Sequence, residues 1–325
     1  MSNHSDDPIL NKDSVHVVFG ATGAYGYSVT KKLIRKGLNV LAVSRNADKA
    51  KFMFPGGTRL ETTDVFDKQR VREICKDASV IYFGINFPYG EWKMKFREAL
   101  ENILHASWDS RPTFVFPGNV YGYGEFEYTP VNEEHPLNAS TVKGMLRSRI
   151  EMELLKLHSN GKINLVLPRF ADFYGPNVTN DLYGALFSNA IKGKSVLWPI
   201  NADTPHCFTF IEDAAEATLF LLQDRTSYGN VFHVSGPVIT AKRFIETIFS
   251  SLNARPKIRI ASKRFLSILG IFNPDARELL ELLYEYERPY IIDDTKFLRR
   301  FPSFKHTSYD EGIKITLDWF RKHTV

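Results

Sequence analysis

The stretch Val15-His-Val-Val-Phe19-Gly20-Ala-Thr-Gly23-Ala-Tyr-Gly26 decides how this chain is read. Val15 to Phe19 is short, apolar and rich in β-branched residues, the composition of a strand covered on both faces. Three glycines in the spacing GxxGxxG follow it, and Val29, Leu33 and Ile34 then recur at helical spacing. A strand, a glycine turn and a helix in that order aim backbone N–H groups and the helix dipole at an anion. The first glycine permits the tight bend, the second lets backbone approach a pyrophosphate, and the third lets the helix pack closely on the strand. In this context the motif predicts a bound dinucleotide, contacted by Gly20, Thr22, Gly23, Ala24, Tyr25 and Gly26.

Working outward, Leu38 to Val43, Val80 to Phe83, Thr113 to Phe116 and Ile163 to Leu167 are apolar runs of the same kind. Helical segments separate them, among them Trp92 to Ala106 and Lys143 to His158. Continuous apolar strands alternating with helices predict an α/β fold, a Rossmann doubly wound parallel sheet. Residues 15–175 are expected to build this domain, with 208–235 returning to it. Residues 1–14 read as a polar tail. Residues 176–207 and 236–325 read as a smaller, mostly helical substrate-binding cap, with Ala276 to Tyr284 and Tyr309 to Phe320 as its clearest helices.

The second apolar run ends Val43-Ser44-Arg45. A site for NAD(H) usually places a carboxylate there, to accept hydrogen bonds from the ribose hydroxyls. Ser44 and Arg45 instead suit the 2′-phosphate of NADP(H), the serine by hydrogen bonding and the arginine through its planar fork. NADP(H) is therefore expected in preference to NAD(H). Asp64, after the third strand, is a candidate contact to adenine.

The chain has 325 residues and a formal net charge of +5, a mild excess that suits a mixed-charge surface or an anionic small-molecule ligand. No basic tract stands out on this reading, so no nucleic-acid partner is expected. Cys75 and Cys207 belong to no metal or redox pattern, which fits a reducing cytoplasm and predicts no metal site. No stretch approaches the ~20 apolar residues that span a bilayer, the segment Phe265 to Phe272 being far too short, so no membrane partner is expected. A homodimer is compatible with these features.

Further motifs are Thr63-Asp64-Val65, Gly118-Asn-Val-Tyr121-Gly122, Arg169 ahead of Tyr174-Gly175-Pro176, and Phe210-Ile-Glu-Asp213-Ala214. With the glycine turn, they make the chain resemble the extended short-chain dehydrogenase/reductases, the NAD(P)-dependent epimerase/dehydratase family, from about Val15 to the C-terminus. The resemblance implies a Rossmann fold, a bound NAD(P) and a C-terminal region that often takes nucleotide sugars. It also implies cofactor contacts from Asp64, Val65, Gly84, Asn86, Pro117, Lys143 and Arg169. Most members carry a Ser or Thr where this chain has Pro117, and Tyr-x-x-x-Lys where it reads Lys143-Gly-Met-Leu-Arg147. In those members the Tyr moves a proton and the Lys holds the ribose. Asn86-Phe-Pro-Tyr89 and Arg169-Phe-Ala-Asp172-Phe173 bring the chain closer to a mainly bacterial branch that is similar at these positions.

Some other group must then do the acid/base work. Lys143 and Arg147 lie four apart, on one helix face. Arg147 supplies fixed positive charge. Lys143 beside it, partly desolvated, is expected to favour its neutral form and exchange a proton near neutral pH. Tyr121 is an alternative acid, and Asn119 a candidate to orient a substrate oxygen. Tyr89, Trp92, Asp172, Tyr174 and His206 are candidate substrate contacts. Two functions compete on these residues. One is an NADP(H)-dependent oxidoreductase or epimerase acting on a polar carbonyl or hydroxyl compound such as a nucleotide sugar. The other is a catalytically inactive NADP(H)-binding sensor.

Overall fold

A computed structural model describes residues 9–179, 181–272, 277 and 279–323. The first apolar run forms strand β1 (Val15–Phe19), and the turn after it opens helix α1 (Ala24–Arg35). Strands β2 (Asn39–Ser44), β3 (Arg59–Thr62), β4 (Val80–Phe83), β5 (Thr113–Val115), β7 (Asn164–Phe170) and β11 (Val231–Val234) join β1 in one sheet. Their order is β11-β7-β5-β4-β1-β2-β3, and the two-residue strand β6 (Gly118–Asn119) pairs with β7. The ladders β3–β2–β1–β4–β5–β7 are all parallel. The order reverses at β1, the topological switch beside which open α/β sheets bind their ligands. The expected Rossmann-type sheet is thus present.

The helix expected from Trp92 begins as a π-helical turn, Trp92–Phe96, and becomes regular in α4 (Arg97–Ala106). Helix α5 (Val142–Ser159) matches the expected Lys143 to His158 within a residue at each end. The expected helix Ala276 to Tyr284 lies partly outside the described residues. Its described part is helical at 277 and 279–280, turns at 281–283 and enters the short helix Tyr284–Glu287.

Contacts divide the chain into two compact units. The first holds the residues up to Gly118, Arg149–Arg169 and Ala214–Phe232. The second holds Asn119–Ser148, Phe170–Asp213 and the residues from His233 on. This differs in its bounds from the division drawn from the sequence, 15–175 with 208–235 returning. Asn119–Ser148 and residues 170–175 belong with the second unit, and the segment that returns to the first is Ala214–Phe232. Within the second unit, β8 (Asp172–Tyr174) and β12 (Val238–Thr240) flank β10 (Pro205–Phe210), and β9 (Val196–Pro199) pairs in parallel with β13 (Ile258–Ala261). Its helices include α6 (Asp181–Ile191), α8 (Ala241–Ser251), α9 (Lys263–Phe272) and the last helix, Tyr309–His323.

Candidate active site

In the first unit, three backbone segments close on one another at the end of β1. Gly20 sits in the left-handed region at φ 71°, and a Cβ there would fall 2.5 Å from the Gly84 carbonyl oxygen. A Cβ at Gly26 would strike the Gly20 carbonyl, and one at Gly84 would meet the Phe19 carbonyl oxygen at 2.7 Å. Only glycine permits this closure, which brings the first turn of α1 against the ends of β1 and β4. Helices α2 (Ala47–Met53), α3 (Lys68–Cys75) and α8 each begin under a side-chain cap, from Asn46, Asp67 and Thr240. Helix α1 begins at the exposed Gly23 with no side-chain cap and no acid in its first turn. A bare N-terminus without negative charge behind a glycine cradle fits a pyrophosphate.

The neighbouring side chains sort themselves. Thr22 Oγ1 lies 3.0 Å from Ser44 Oγ, tying the end of β1 to the end of β2. Ser44 Oγ also accepts the Asn46 N–H at 3.2 Å. Arg45 is exposed, its guanidinium 6.0 Å above the Phe87 ring. Asp64 is exposed and accepts the Phe66 N–H at 3.1 Å, and the Val65 carbonyl accepts Asn102 Nδ2 at 3.2 Å. Asn86 is exposed, and Tyr89 and Pro117 are half-buried.

Three expectations need correcting here. The Tyr25 side chain is buried with its hydroxyl 2.9 Å from Thr218 Oγ1, so that side chain anchors α1 to helix α7 (Ile211–Gln223) and leaves only the backbone of Tyr25 to meet a ligand. Trp92 is buried, donating its indole N–H to the Phe87 carbonyl at 2.9 Å and packing on Phe96. Arg169 is not at an open surface. Its Nε donates to Glu151 Oε2 at 2.7 Å with both side chains buried, and Gly118 has no room for a Cβ beside them. A buried ion pair this well made keeps its partners.

In the second unit, Asn119 Oδ1 accepts the Tyr121 N–H at 3.2 Å, so its carboxamide caps its own turn. Tyr121 is buried, and Gly144 allows the first turn of α5 to lie against the Tyr121 carbonyl. Lys143 and Arg147 are both buried. Lys143 Nζ stands 3.3 Å from Glu281 Oε2, so the repulsion from Arg147 does not act on it alone. Asp172 Oδ2 accepts the Tyr183 hydroxyl at 2.5 Å and lies 3.2 Å from His206 Nε2. The His206 ring stacks on Tyr290 with centroids 4.5 Å apart. Asp172 and His206, expected separately from the sequence, are thus brought together. Tyr174 is corrected to core. It is buried against Phe244 and Phe210, Gly312 leaves space for its ring, and burial raises its phenol far above the ordinary range.

Sequence reasoning missed Glu281, Tyr284 and Glu285. Glu285 is buried, and burial followed by the nearby Asp172 carboxylate holds its carboxyl well above the usual range. With Tyr284, Phe126, Tyr290, Glu125 and Arg288 it lines a cavity of about 130 Å³. No motif marked these residues. They belong to a stretch whose acids and aromatics read as an ordinary helix surface.

A parallel sheet with this strand order and a glycine cradle at its switch point is a dinucleotide-binding Rossmann domain. The chain belongs to the NAD dependent epimerase/dehydratase family, whose profile matches residues 16–235, a family of NAD(P)-dependent enzymes. It is 20% identical to the UDP-N-acetyl-alpha-D-glucosaminuronate decarboxylase of Bacillus cytotoxicus, over 94% of this chain and 97% of that one. The dTDP-glucose 4,6-dehydratase of Bacillus anthracis, solved in complex with NAD, superposes with a TM-score of 0.78 at 15% identity, over 96% of this chain and 97% of that one. The UDP-N-acetylglucosamine 4-epimerase of Methanobrevibacter ruminantium, in complex with UDP-N-acetylmuramic acid, superposes with a TM-score of 0.77 at 18% identity, over 97% of this chain and 100% of that one. At these identities the superpositions show a shared fold. Among the described residues no helix is long and apolar enough to cross a membrane.

Proposed function

We propose that this chain converts a nucleotide-linked sugar by epimerase- or dehydratase-type chemistry, with NADP(H) as its dinucleotide. The observation that carries this reading is the glycine cradle, in a chain that spans nearly the full length of relatives named for UDP- and dTDP-linked sugars. When bound, the nicotinamide supplies a hydride acceptor and donor. The chain's own residues hold and orient. Gly23 and the first turn of α1 take the pyrophosphate. Ser44 and Arg45, standing at the end of β2 where an NAD(H) site has a carboxylate, take the 2′-phosphate. The Bacillus anthracis relative carries NAD, so this cofactor choice is the finer part of the proposal.

Lys143, standing in the register of the family tyrosine, moves the proton, with Glu281 as its partner, and Arg147 supplies fixed positive charge. In the second unit, the neutral carboxyl of Glu285 donates a hydrogen bond to a sugar hydroxyl, and the Asp172–His206 pair keeps the wall beside it in place. The test is incubation with a panel of UDP- and dTDP-sugars and either NADP⁺ or NAD⁺, with products separated and weighed by mass spectrometry. Conversion of at least one sugar is expected, faster with NADP⁺. A second reading, a dinucleotide sensor without turnover, is favoured by Pro117 and Lys143 standing where most of the family has Ser and Tyr. Tight dinucleotide binding without conversion of any sugar would decide for it.

A further inference from the structure

The stretch from Arg255 to Arg264 holds Arg255, Lys257, Arg259, Lys263 and Arg264 and no acidic residue. These five cations equal the chain's entire formal excess of +5, so the remainder is balanced. All five are exposed. The helix that follows, α9, turns large apolar side chains outward: Phe265 is 50% exposed, Ile268 60%, Ile271 64% and Phe272 83%. Positions 265, 268 and 272 recur at helical spacing and share one face, with 271 beside them, while Leu266 on the opposite face is buried. Ile260, in β13 just ahead of the helix, is 50% exposed as well. Scattered exposed apolar residues need no explanation, but a contiguous stripe of phenylalanine and isoleucine beside a dense cationic segment does.

We infer that this face docks on an anionic lipid surface. A ten-residue helix is about 15 Å long, half the thickness of a bilayer's hydrocarbon core, so α9 lies in the interface and does not cross it. Its phenylalanine and isoleucine side chains enter the acyl boundary, while Arg255 and Arg259 ahead of it and Arg264 in its first turn meet lipid headgroups. The charge pattern argues against a second copy of the chain as the occupant. A two-fold contact would set Arg255, Arg259 and Arg264 against their own copies, and the neighbouring Glu287 is already paired with Lys263 at 2.8 Å. The expectation that no membrane partner exists rested on the lack of a spanning segment, a condition that interfacial binding does not need.

The test is co-sedimentation of the full-length protein with vesicles of phosphatidylcholine containing about a third phosphatidylserine, or of phosphatidylcholine alone. Binding is expected only with phosphatidylserine, and it should weaken as salt rises. Arg259→Glu with Arg264→Glu should weaken it by at least about twenty-five-fold, at roughly fivefold for each lost contact with the anionic surface. Ile268→Ser with Phe272→Ser should weaken it by at least about tenfold. Both pairs are exposed, and unchanged circular dichroism checks the fold. No binding to either vesicle, or binding that both double variants retain, overturns the inference. A soluble dimer that Ile268→Ser with Phe272→Ser converts to monomer overturns it too, assigning the face to a second copy.

Discussion

At Lys143 two electrostatic demands meet. Arg147, one turn along α5, repels the ammonium, and Glu281 attracts it at 3.3 Å in a buried setting. If the pair moves the proton, Lys143→Met should lower turnover by about a hundredfold or more and change dinucleotide affinity little. Arg147→Met should lower both. Steady-state kinetics and calorimetry separate the two, and wild-type turnover in Lys143→Met would return the lysine to a purely structural part. At Arg45 the demand is simpler, since the side chain is exposed and lies over the face of Phe87. Arg45→Ala should weaken NADP⁺ binding by about tenfold, the worth of one charge-assisted contact, and leave NAD⁺ binding unchanged. Equal losses for the two cofactors would remove the 2′-phosphate from this residue.

At the scale of the element, the turn between β1 and α1 separates binding from folding. Gly23 is exposed, and a Cβ there would stand 3.3 Å from the Gly20 carbonyl oxygen, a tight contact that the backbone can relieve. Gly23→Val should therefore keep native circular dichroism and lose dinucleotide binding. Gly26→Val drives its Cβ into the Gly20 carbonyl and should cost folding itself, seen as a lowered Tm or insoluble protein. Strand β1 also carries a buried histidine. His16 Nδ1 lies 3.0 Å from the Tyr82 hydroxyl, and burial pushes the imidazole down from 6.5 to about 4. Below pH 6.5 the unfolded chain takes up a proton here that the folded chain refuses until about pH 4. Stability should fall across that window as the solution is acidified, by up to about 3 kcal/mol from this residue. His16→Gln, which does not titrate, should flatten that part of the slope in urea unfolding at a series of pH values.

At the scale of the whole molecule, each unit is assembled from segments far apart in the chain. The first recruits Ala214–Phe232 back to the sheet, and the second packs its last helix, Tyr309–His323, against α8 and α6. Asp213 shows how the second unit is fastened. Its two carboxylate oxygens accept the Thr307 N–H at 2.8 Å and the Thr307 hydroxyl at 2.6 Å, and the residue is 8% exposed. Asp213→Ala leaves both donors without this acceptor and should destabilise by about 2–3 kcal/mol, measured as a lower urea midpoint with an unchanged slope. Asp213→Asn keeps one acceptor oxygen and should cost less. An unaffected midpoint in Asp213→Ala would mean that water replaces the carboxylate there.

The sequence alone determined the β1–glycine–α1 turn, the alternation of buried strands and helices, and the missing carboxylate after β2. Each is a local pattern. Strand burial on both faces shows as an unbroken apolar run, and a glycine is demanded wherever backbone meets backbone. The helix from Val142 to Ser159 was legible for the same reason. The tertiary structure decided what the side chains of those elements touch. Tyr25, Trp92 and Tyr174 look alike in sequence to ligand-facing aromatics, and only packing shows that each is turned inward. Arg169 read as a cofactor contact until Glu151 was found against it, and Lys143 read as one cation beside another until Glu281 arrived from the far end of the chain. Charge pairs between distant segments leave no periodicity, because nothing in the chain between them has to repeat. For the same reason, the raised carboxyl of Glu285 beside Asp172 was invisible until the fold buried Glu285 and set Asp172 near it.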